Sequence, residues 1–269
     1  MEISIYRYLK ELRSAVPLVQ NITNYVVMNN TENALLAVGA SPVMVHAKEE
    51  LNDVVPLASA VVINIGTLSP YWIEGMLQAA ELAREHKKPW VLDPVGAGIS
   101  GLRNQALKRL LHLNPTVIRG NASEILALDN FGRAGGKGVD STESSDAALN
   151  AARELNRRYG SIVCVSGEID YIVSGDRIAR VANGDPLMQK VTGLGCTSSA
   201  LIGAFIGLGQ NAFEEAVSGV AVTSLAGQLA AGKSDGPGTL QLHLYDCLYN
   251  LDQETLDTHL KLETDVIAS

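Results

Sequence analysis

Short continuous apolar runs, each followed by an apolar stripe at helical spacing, constrain this chain more than any other feature. Val61-Val-Ile-Asn-Ile-Gly66 reads as a buried strand stopped by Gly66, and Trp72, Ile73, Met76, Leu77 and Ala80 then fall on one helical face. Pro89-Trp-Val-Leu-Asp-Pro94 precedes a stripe of Leu102, Ala106, Leu107, Leu110 and Leu111. Thr116-Val-Ile-Arg-Gly-Asn121 precedes a helix opening near Ser123, and Ala147, Ala148, Ala151, Ala152, Leu155 and Tyr159 lead into the strand Ser161-Ile-Val-Cys-Val-Ser166. Strands without polar alternation are those covered on both faces, as in parallel sheets. The spacing therefore predicts an α/β chain with three α-β-α layers and a central, mostly parallel sheet.

Beyond Gly167 the pattern changes. Tyr171 to Ser174 and Arg177 to Val181 read as a hairpin around Gly175-Asp176. The last third reads as helical, over Thr197 to Leu208, Phe213 to Ala230 and Leu240 to Leu260. With no linker and no repeat, one domain over 1–269 is expected. Arg133-Ala-Gly-Gly-Lys-Gly138 is the segment expected to be most mobile.

Composition narrows the partners. A net charge of −8 without a basic cluster makes the chain a poor counterpart for nucleic acid or anionic lipid. The longest apolar candidate, Ala200 to Gly209, is far short of the roughly 18 residues that span a bilayer. The first residues mix Glu2, Arg7, Lys10 and Glu11 among apolar ones, unlike a secretory signal. Cys164, Cys196 and Cys247 are widely spaced, which argues against a disulfide framework or zinc site and for a cytoplasmic protein.

In open α/β sheets ligands bind beyond the carboxyl ends of the strands. Asp93, then Arg119 with Asn121, then Ser166 occupy such ends. Gly227-Gln-Leu-Ala-Ala-Gly232-Lys233-Ser234 matches a phosphate-binding loop letter for letter. That loop needs a strand before it and a helix opening at its lysine. A helical stripe of Phe213, Ala216, Val217, Val220 and Ser224 precedes the match, and Asp235-Gly-Pro-Gly238 follows. It reads instead as a helix end capped at Gly232, followed by a segment not expected to open a helix.

Thr192-Gly-Leu-Gly-Cys-Thr197 leads from a loop into a helix. Backbone N–H groups at a helix start favour an anion, and a cysteine there has its thiolate favoured. The same residues also suit a capped core helix with Cys196 as apolar filler. From the residues alone both readings stand, as they do for Asp93 and Glu124 (metal ligands or turn and first-turn acids) and for Met44 (pocket wall or core).

Taken together, these segments resemble the hydroxyethylthiazole kinase family of the ribokinase-like superfamily. Val19-Gln-Asn-Ile-Thr-Asn24 with Val26, Val27, Asn29 and Asn33 is similar to its N-terminal signature, which Leu35-Leu-Ala-Val-Gly-Ala-Ser-Pro-Val-Met44 continues. Leu92-Asp-Pro-Val-Gly-Ala-Gly98, Arg119-Gly-Asn-Ala-Ser-Glu124 and Thr192-Gly-x-Gly-Cys196 resemble its central turn, its Asn-x-x-Glu motif and its anion hole. Leu194 and Thr197-Ser198 depart from the expected pattern.

The resemblance implies transfer of the γ-phosphoryl group of ATP to the alcohol of 4-methyl-5-(2-hydroxyethyl)thiazole, a step toward thiamine phosphate. It implies Cys196 as proton acceptor, with Gly193, Gly195 and the helix start holding the phosphoryl group. It implies Asp93 and Glu124 on Mg²⁺, and Arg119, Asn121 and Ser166 on ATP. Met44, Asn24, Gly66 and Gly193 would line the thiazole site, and a homotrimer would form its pockets between subunits. His46 is set aside as structural. The competing readings are a kinase for a pyrimidine alcohol, a repair dehydratase for hydrated nicotinamide nucleotides, a cysteine hydrolase and a non-catalytic binding protein. Both same-fold enzymes are expected to carry Asp at position 196.

Overall fold

The computed structural model describes residues 3–131 and 145–266. The segment Arg133–Gly138 lies outside the described residues.

The first half alternates strand and helix as the apolar runs require. Its elements are α1 (Ile5–Ala15), β1 (Leu18–Ile22), α2 (Met28–Val38), β2 (Ser41–Val43), α3 (Lys48–Val54), β3 (Ala60–Asn64), α4 (Pro70–Glu85), β4 (Trp90–Asp93), α5 (Gly101–Leu111), β5 (Val117–Asn121) and α6 (Ala122–Asn130). There follow α7 (Ser145–Tyr159), β6 (Ile162–Ser166), β7 (Asp170–Ser174), β8 (Arg177–Val181), a 3-10 turn at Pro186–Lys190, α8 (Leu194–Ile206), α9 (Ala212–Ala231), α10 (Pro237–Asn250), α11 (Gln253–His259) and β9 (Leu262–Val266).

The strands form one sheet in the order β2-β1-β3-β4-β5-β6-β7-β8-β9. Strands β2 to β6 are parallel, and β7, β8 and β9 add antiparallel. The order in which successive strands are added reverses at β1, with β2 on one side and β3 onward on the other, the switch point where a crevice opens at the carboxyl edge. Alternate residues of one strand feed two apolar cores. Val62 faces a core built with α1, α2 and α8 to α11, while Val61 and Ile63 face one built with α3 to α7. Both faces of the central strands are thus dry, which is why they read as unbroken apolar runs.

The hairpin lies where expected, with Ser174 opposite Arg177 and Gly175 at φ +58°. Elsewhere the structure departs from the sequence reading. The predicted helix over Leu240 to Leu260 is two helices, because Asp252 caps α11 by accepting from Thr255 N at 2.9 Å. Asp235-Gly-Pro-Gly238 does open a helix, with Pro237 in the first turn of α10, where its missing N–H costs nothing. Strand β9 carries no apolar signal, because it is a largely exposed edge strand. The phosphate-loop match is indeed a helix end: Gly227 lies inside α9 and Ser234 Oγ donates back to Ala230 O at 2.6 Å. Gly232 ends that helix in right-handed geometry, at φ −63°, and not as a left-handed cap. Among the described residues no helix is long and apolar enough to cross a membrane.

Helix α8 sits unusually close to its neighbours. A Cβ on Gly203 would lie 2.5 Å from Val62 Cγ2 in β3, and one on Gly219 of α9 would lie 2.7 Å from the backbone Cα of Ile202. Helix propensity alone predicts that Gly219→Ala stabilises the fold by about 1 kcal/mol. The clash with backbone predicts the opposite sign. Gly219→Ala should destabilise by about 1–3 kcal/mol, the usual cost of overpacking, read as a lower urea midpoint at unchanged slope.

Candidate active site

Because β2 to β6 run parallel, their carboxyl ends share one edge of the sheet. Along that edge stand Met44 after β2, Asn24 after β1, Gly66 after β3, Asp93 ending β4, Arg119 and Asn121 in β5, and Ser166 ending β6. The candidates scattered over the chain thus form one row. The start of α8 lies over its middle.

Gly193 is the N-cap of α8, at φ +83°, a conformation that suits glycine, and a Cβ there would meet Val27 Cγ1 at 2.2 Å. A Cβ on Gly195 would lie 2.7 Å from Arg119 Nη1. The guanidinium therefore stands against the first turn of α8, beside its backbone N–H groups. Among the described residues Arg119 makes no hydrogen bond or salt bridge, and its charge acts on Asp93, Asp170, Cys164 and Cys196. Cationic fork and helix N-terminus together make a place for an anion.

A buried polar chain runs beneath this spot. Asn24 Nδ2 donates to Cys196 Sγ at 3.5 Å and to Asn64 Oδ1 at 2.8 Å. Asn64 Nδ2 donates to Asp93 Oδ2 at 2.7 Å, and Ser199 Oγ donates to the same oxygen at 2.8 Å. Burial pushes the Asp93 carboxyl up to about 6, helped by the nearby charge of Glu124 and opposed by Arg119, Ser199 and Asn64. Burial also pushes the Cys196 thiol up to about 11, and Asp93 adds to this against hydrogen bonds from Asn64 and Asn24. This corrects the expectation of a thiolate favoured at the helix start. In this site desolvation and a neighbouring carboxyl outweigh the helix terminus.

Several candidates have structural partners. Asn121 and Glu124 form a reciprocal cap of α6: Asn121 Oδ1 accepts from Glu124 N at 3.0 Å, and Glu124 Oε2 accepts from Asn121 N at 2.9 Å. Glu124 Oε1 also accepts from Gly96 N at 3.0 Å, so this acid ties the β4–α5 loop to α6. The space beside Gly66 is filled by Asn24, whose Nδ2 would lie 2.5 Å from a Cβ on Gly66. Ser166 Oγ donates to Gly120 O at 3.4 Å. Met44 is half-buried and belongs to neither apolar core, so it is not core filler. Nearby, Trp72 carries Tyr25 and His46 at ring-centre distances of 4.8 Å each. Leu194 packs on the apolar core, and Thr197 and Ser198 are buried in α8, so the three departures lie on the packed side of the helix.

Sequence reasoning missed four residues here. Asn64 and Ser199 complete the polar chain. Asp170 is half-buried and held by Ser224 Oγ at 2.7 Å and Gly167 N at 3.1 Å. Arg103 clamps the loops after β3 and β4 through Ile65 O and Val95 O at 2.6 Å and Gly66 O at 2.8 Å. Only Asn64 carried a signal, a polar residue inside an apolar strand. Among the described residues no three His, Cys, Asp or Glu side chains group to hold a metal ion, and no histidine bonds Cys196. The cysteine hydrolase reading therefore lacks its base.

Comparison with known proteins decides the family. Residues 9–254 match the model of the hydroxyethylthiazole kinase family. The chain belongs to that family. A hydroxyethylthiazole kinase of Syntrophus aciditrophicus is 51% identical over 255 residues, 94% of each chain. The structure of a hydroxyethylthiazole kinase from Pyrococcus horikoshii superposes with a TM-score of 0.90 at 41% identity, covering 97% of this chain and 98% of that one. A ribokinase-like superfamily protein of Enterococcus faecalis, 15% identical, shares the fold with a TM-score of 0.61 over 90% of this chain and 93% of that one.

The raised thiol makes a prediction that separates this family member's Cys196 from an activated cysteine. Its thiolate fraction grows about tenfold per pH unit below the pKa. Iodoacetamide should therefore label Cys196 slowly at pH 7 and progressively faster up to pH 10. A rate already flat from pH 7 would show a low-pKa thiolate and refute this assignment.

Proposed function

We propose that the chain phosphorylates the primary hydroxyl of 4-methyl-5-(2-hydroxyethyl)thiazole with ATP, a step of thiamine biosynthesis or salvage, as one kinase domain in the cytoplasm. The observation that carries this reading is the Arg119 guanidinium standing unpaired against Gly195 at the start of α8. It rises from β5, beside β6 at the end proposed for the nucleotide, while the end proposed for the acceptor lies at β2, β1 and β3.

Phosphoryl transfer asks chiefly for positioning and charge stabilisation. Arg119 binds phosphate oxygens, with Ser166 and Asn121 on the nucleotide side. The N–H groups after Gly193 and Gly195 receive the transferring phosphoryl group. Met44 and Asn24 hold the thiazole, with Gly66 leaving room for the Asn24 side chain and Gly193 for Val27 beside it.

Mg²⁺ fits the donor set, since it keeps several waters and takes one or two carboxylates plus phosphate oxygens. Asp93 and Glu124 would hold it. Both hydrogen bonds to Asp93 fall on Oδ2, and Glu124 has spent one contact of each oxygen on backbone N–H groups. The ion neutralises phosphate charge when bound.

Cys196 takes the alcohol proton, which leaves late in a loose transition state. A thiol pushed up to about 11 is mostly protonated at neutral pH, so turnover should rise from pH 7 to pH 10. In Cys196→Asp the carboxylate is already ionised. Its turnover should be flat over that range and match or exceed wild type at pH 7. Cys196→Ala should lose about 10²–10⁴-fold, the range for removing a general base. The assay is a phosphoryl-transfer screen of small alcohols with ATP and Mg²⁺. Transfer to a pyrimidine alcohol but not to the thiazole would refute the substrate, and an inactive, folded Cys196→Asp would refute the base.

The assembly proposed is a homotrimer with thiazole pockets between subunits. Its support is the exposure of Tyr25 (66%), Val26 (59%) and Leu36 (56%) beside Asn24 and along α2. A closed ring would cover these apolar groups. Light scattering should return about three times 28.6 kDa, and a monomer at micromolar concentration would contradict the trimer.

A further inference from the structure

Two backbone amides give the buried chain below Cys196 a direction. An N–H can only donate, so the side-chain atom that accepts from it is the carbonyl oxygen of an asparagine. Gly66 N donates to Asn64 Oδ1 at 2.9 Å, which turns Asn64 Nδ2 toward Asp93 Oδ2. Val26 N donates to Asn24 Oδ1 at 3.1 Å, which turns Asn24 Nδ2 toward Cys196 Sγ and Asn64 Oδ1. A flipped Asn64 would set its oxygen against the Asp93 carboxylate and strand Gly66 N–H, and a flipped Asn24 would set its oxygen against Asn64 Oδ1 and strand Val26 N–H. Both are almost wholly buried, Asn64 at 1% and Asn24 at 4% exposure, where a stranded polar group is costly.

From this we infer that Asn64, which touches neither alcohol nor nucleotide in the proposed reaction, is the positioning residue that locks the polarity of the chain: it holds Asp93 by one oxygen and pins the Asn24 amide so that Cys196 Sγ accepts a hydrogen bond. With two donors on one oxygen, the Asp93 carboxylate is kept from rotating. Ser199, one turn after Cys196 on the same helix, fixes Asp93 from the other side, so strand β3 and helix α8 share one register through this acid. The inference deepens the kinase reading and rests on it for the catalytic consequence, though the hydrogen-bond polarity stands by itself.

Two variants of the full-length protein test it. Asn64→Asp keeps the shape and replaces the donor facing Asp93 by an acceptor. Asn64→Leu keeps the approximate volume and removes both polar ends. In each, kcat should fall about 10–100-fold, the range for losing hydrogen bonds to charged groups, while both KM values stay within about threefold. Iodoacetamide labelling of Cys196 at fixed pH should slow about tenfold, since the groups that favour a thiolate are gone. Cys164 and Cys247 are buried and do not compete. A residue that merely held the fold would act in the opposite direction: its loss would loosen the site, speed labelling and raise both KM values. Labelling that is unchanged or faster, or a kcat that is unchanged, overturns the inference, and so does failure of both variants to fold, which would make Asn64 structural. Absence of transfer in the wild type would refute the kinase reading alone, because the labelling comparison needs no turnover.

Discussion

The close approach of α8 to the sheet is the constraint on which the rest of the site depends. Gly203 lets the helix settle against Val62, and Gly219 lets α9 press on it from the outside at Ile202. A side chain at Gly203 would lift α8 off the sheet, and one at Gly219 would push α9 away from α8. With α8 lifted, its first turn would leave the edge where Asp93 and Arg119 emerge. Ser199 reaches Asp93 only because of this approach, so the packing of glycines and the orientation of a buried acid are one fact. Interiors are too densely packed for such a shift to be absorbed locally.

That geometry also explains the charge arrangement. Arg119 lies amid two acids, the buried Asp93 and the half-buried Asp170, whose carboxyls are both pushed up by desolvation and both pulled back by this guanidinium. The cation is balanced electrostatically yet keeps its donors free of protein acceptors among the described residues. A phosphate can then meet it without first breaking a hydrogen bond. The cost falls on Cys196, which is raised by burial and by Asp93 together. An anion hole and a cysteine of low pKa are therefore not obtained from the same helix start here.

Much of the architecture was legible because its causes are local. Dry parallel strands read as apolar runs, and Val61-Val-Ile, Trp90-Val-Leu and Ile162-Val-Cys-Val all became strands of the sheet. The reciprocal cap of α6 was not read from the sequence, with Asn121 expected on ATP and Glu124 on Mg²⁺ or as a first-turn acid, although Asn and Glu three apart carry that cap in their spacing. Strand β9 was not, because an exposed edge strand needs no apolar pattern, only a partner, and β8 supplies it from more than 80 positions earlier, as with Arg180 and Glu263. The break at Asp252 was missed because an apolar stripe can continue across two helices that share one core.

What the sequence by itself determined was the layer architecture, the row of strand ends and the residues that stand there, since periodicity and strand termini are properties of neighbouring positions. The family likeness in Asn24, Asp93, Arg119 and Cys196 belongs to that same level. Tertiary structure alone decided how those residues act on each other. It set Asn64 between Asn24 and Asp93, turned both amides by bonds to Gly66 and Val26, and filled the space at Gly66 with the Asn24 side chain from the loop after β1. It also reversed the expectation for Cys196, because a thiol's proton affinity depends on burial and on charges brought close in space, and neither is encoded in the residues adjacent to it.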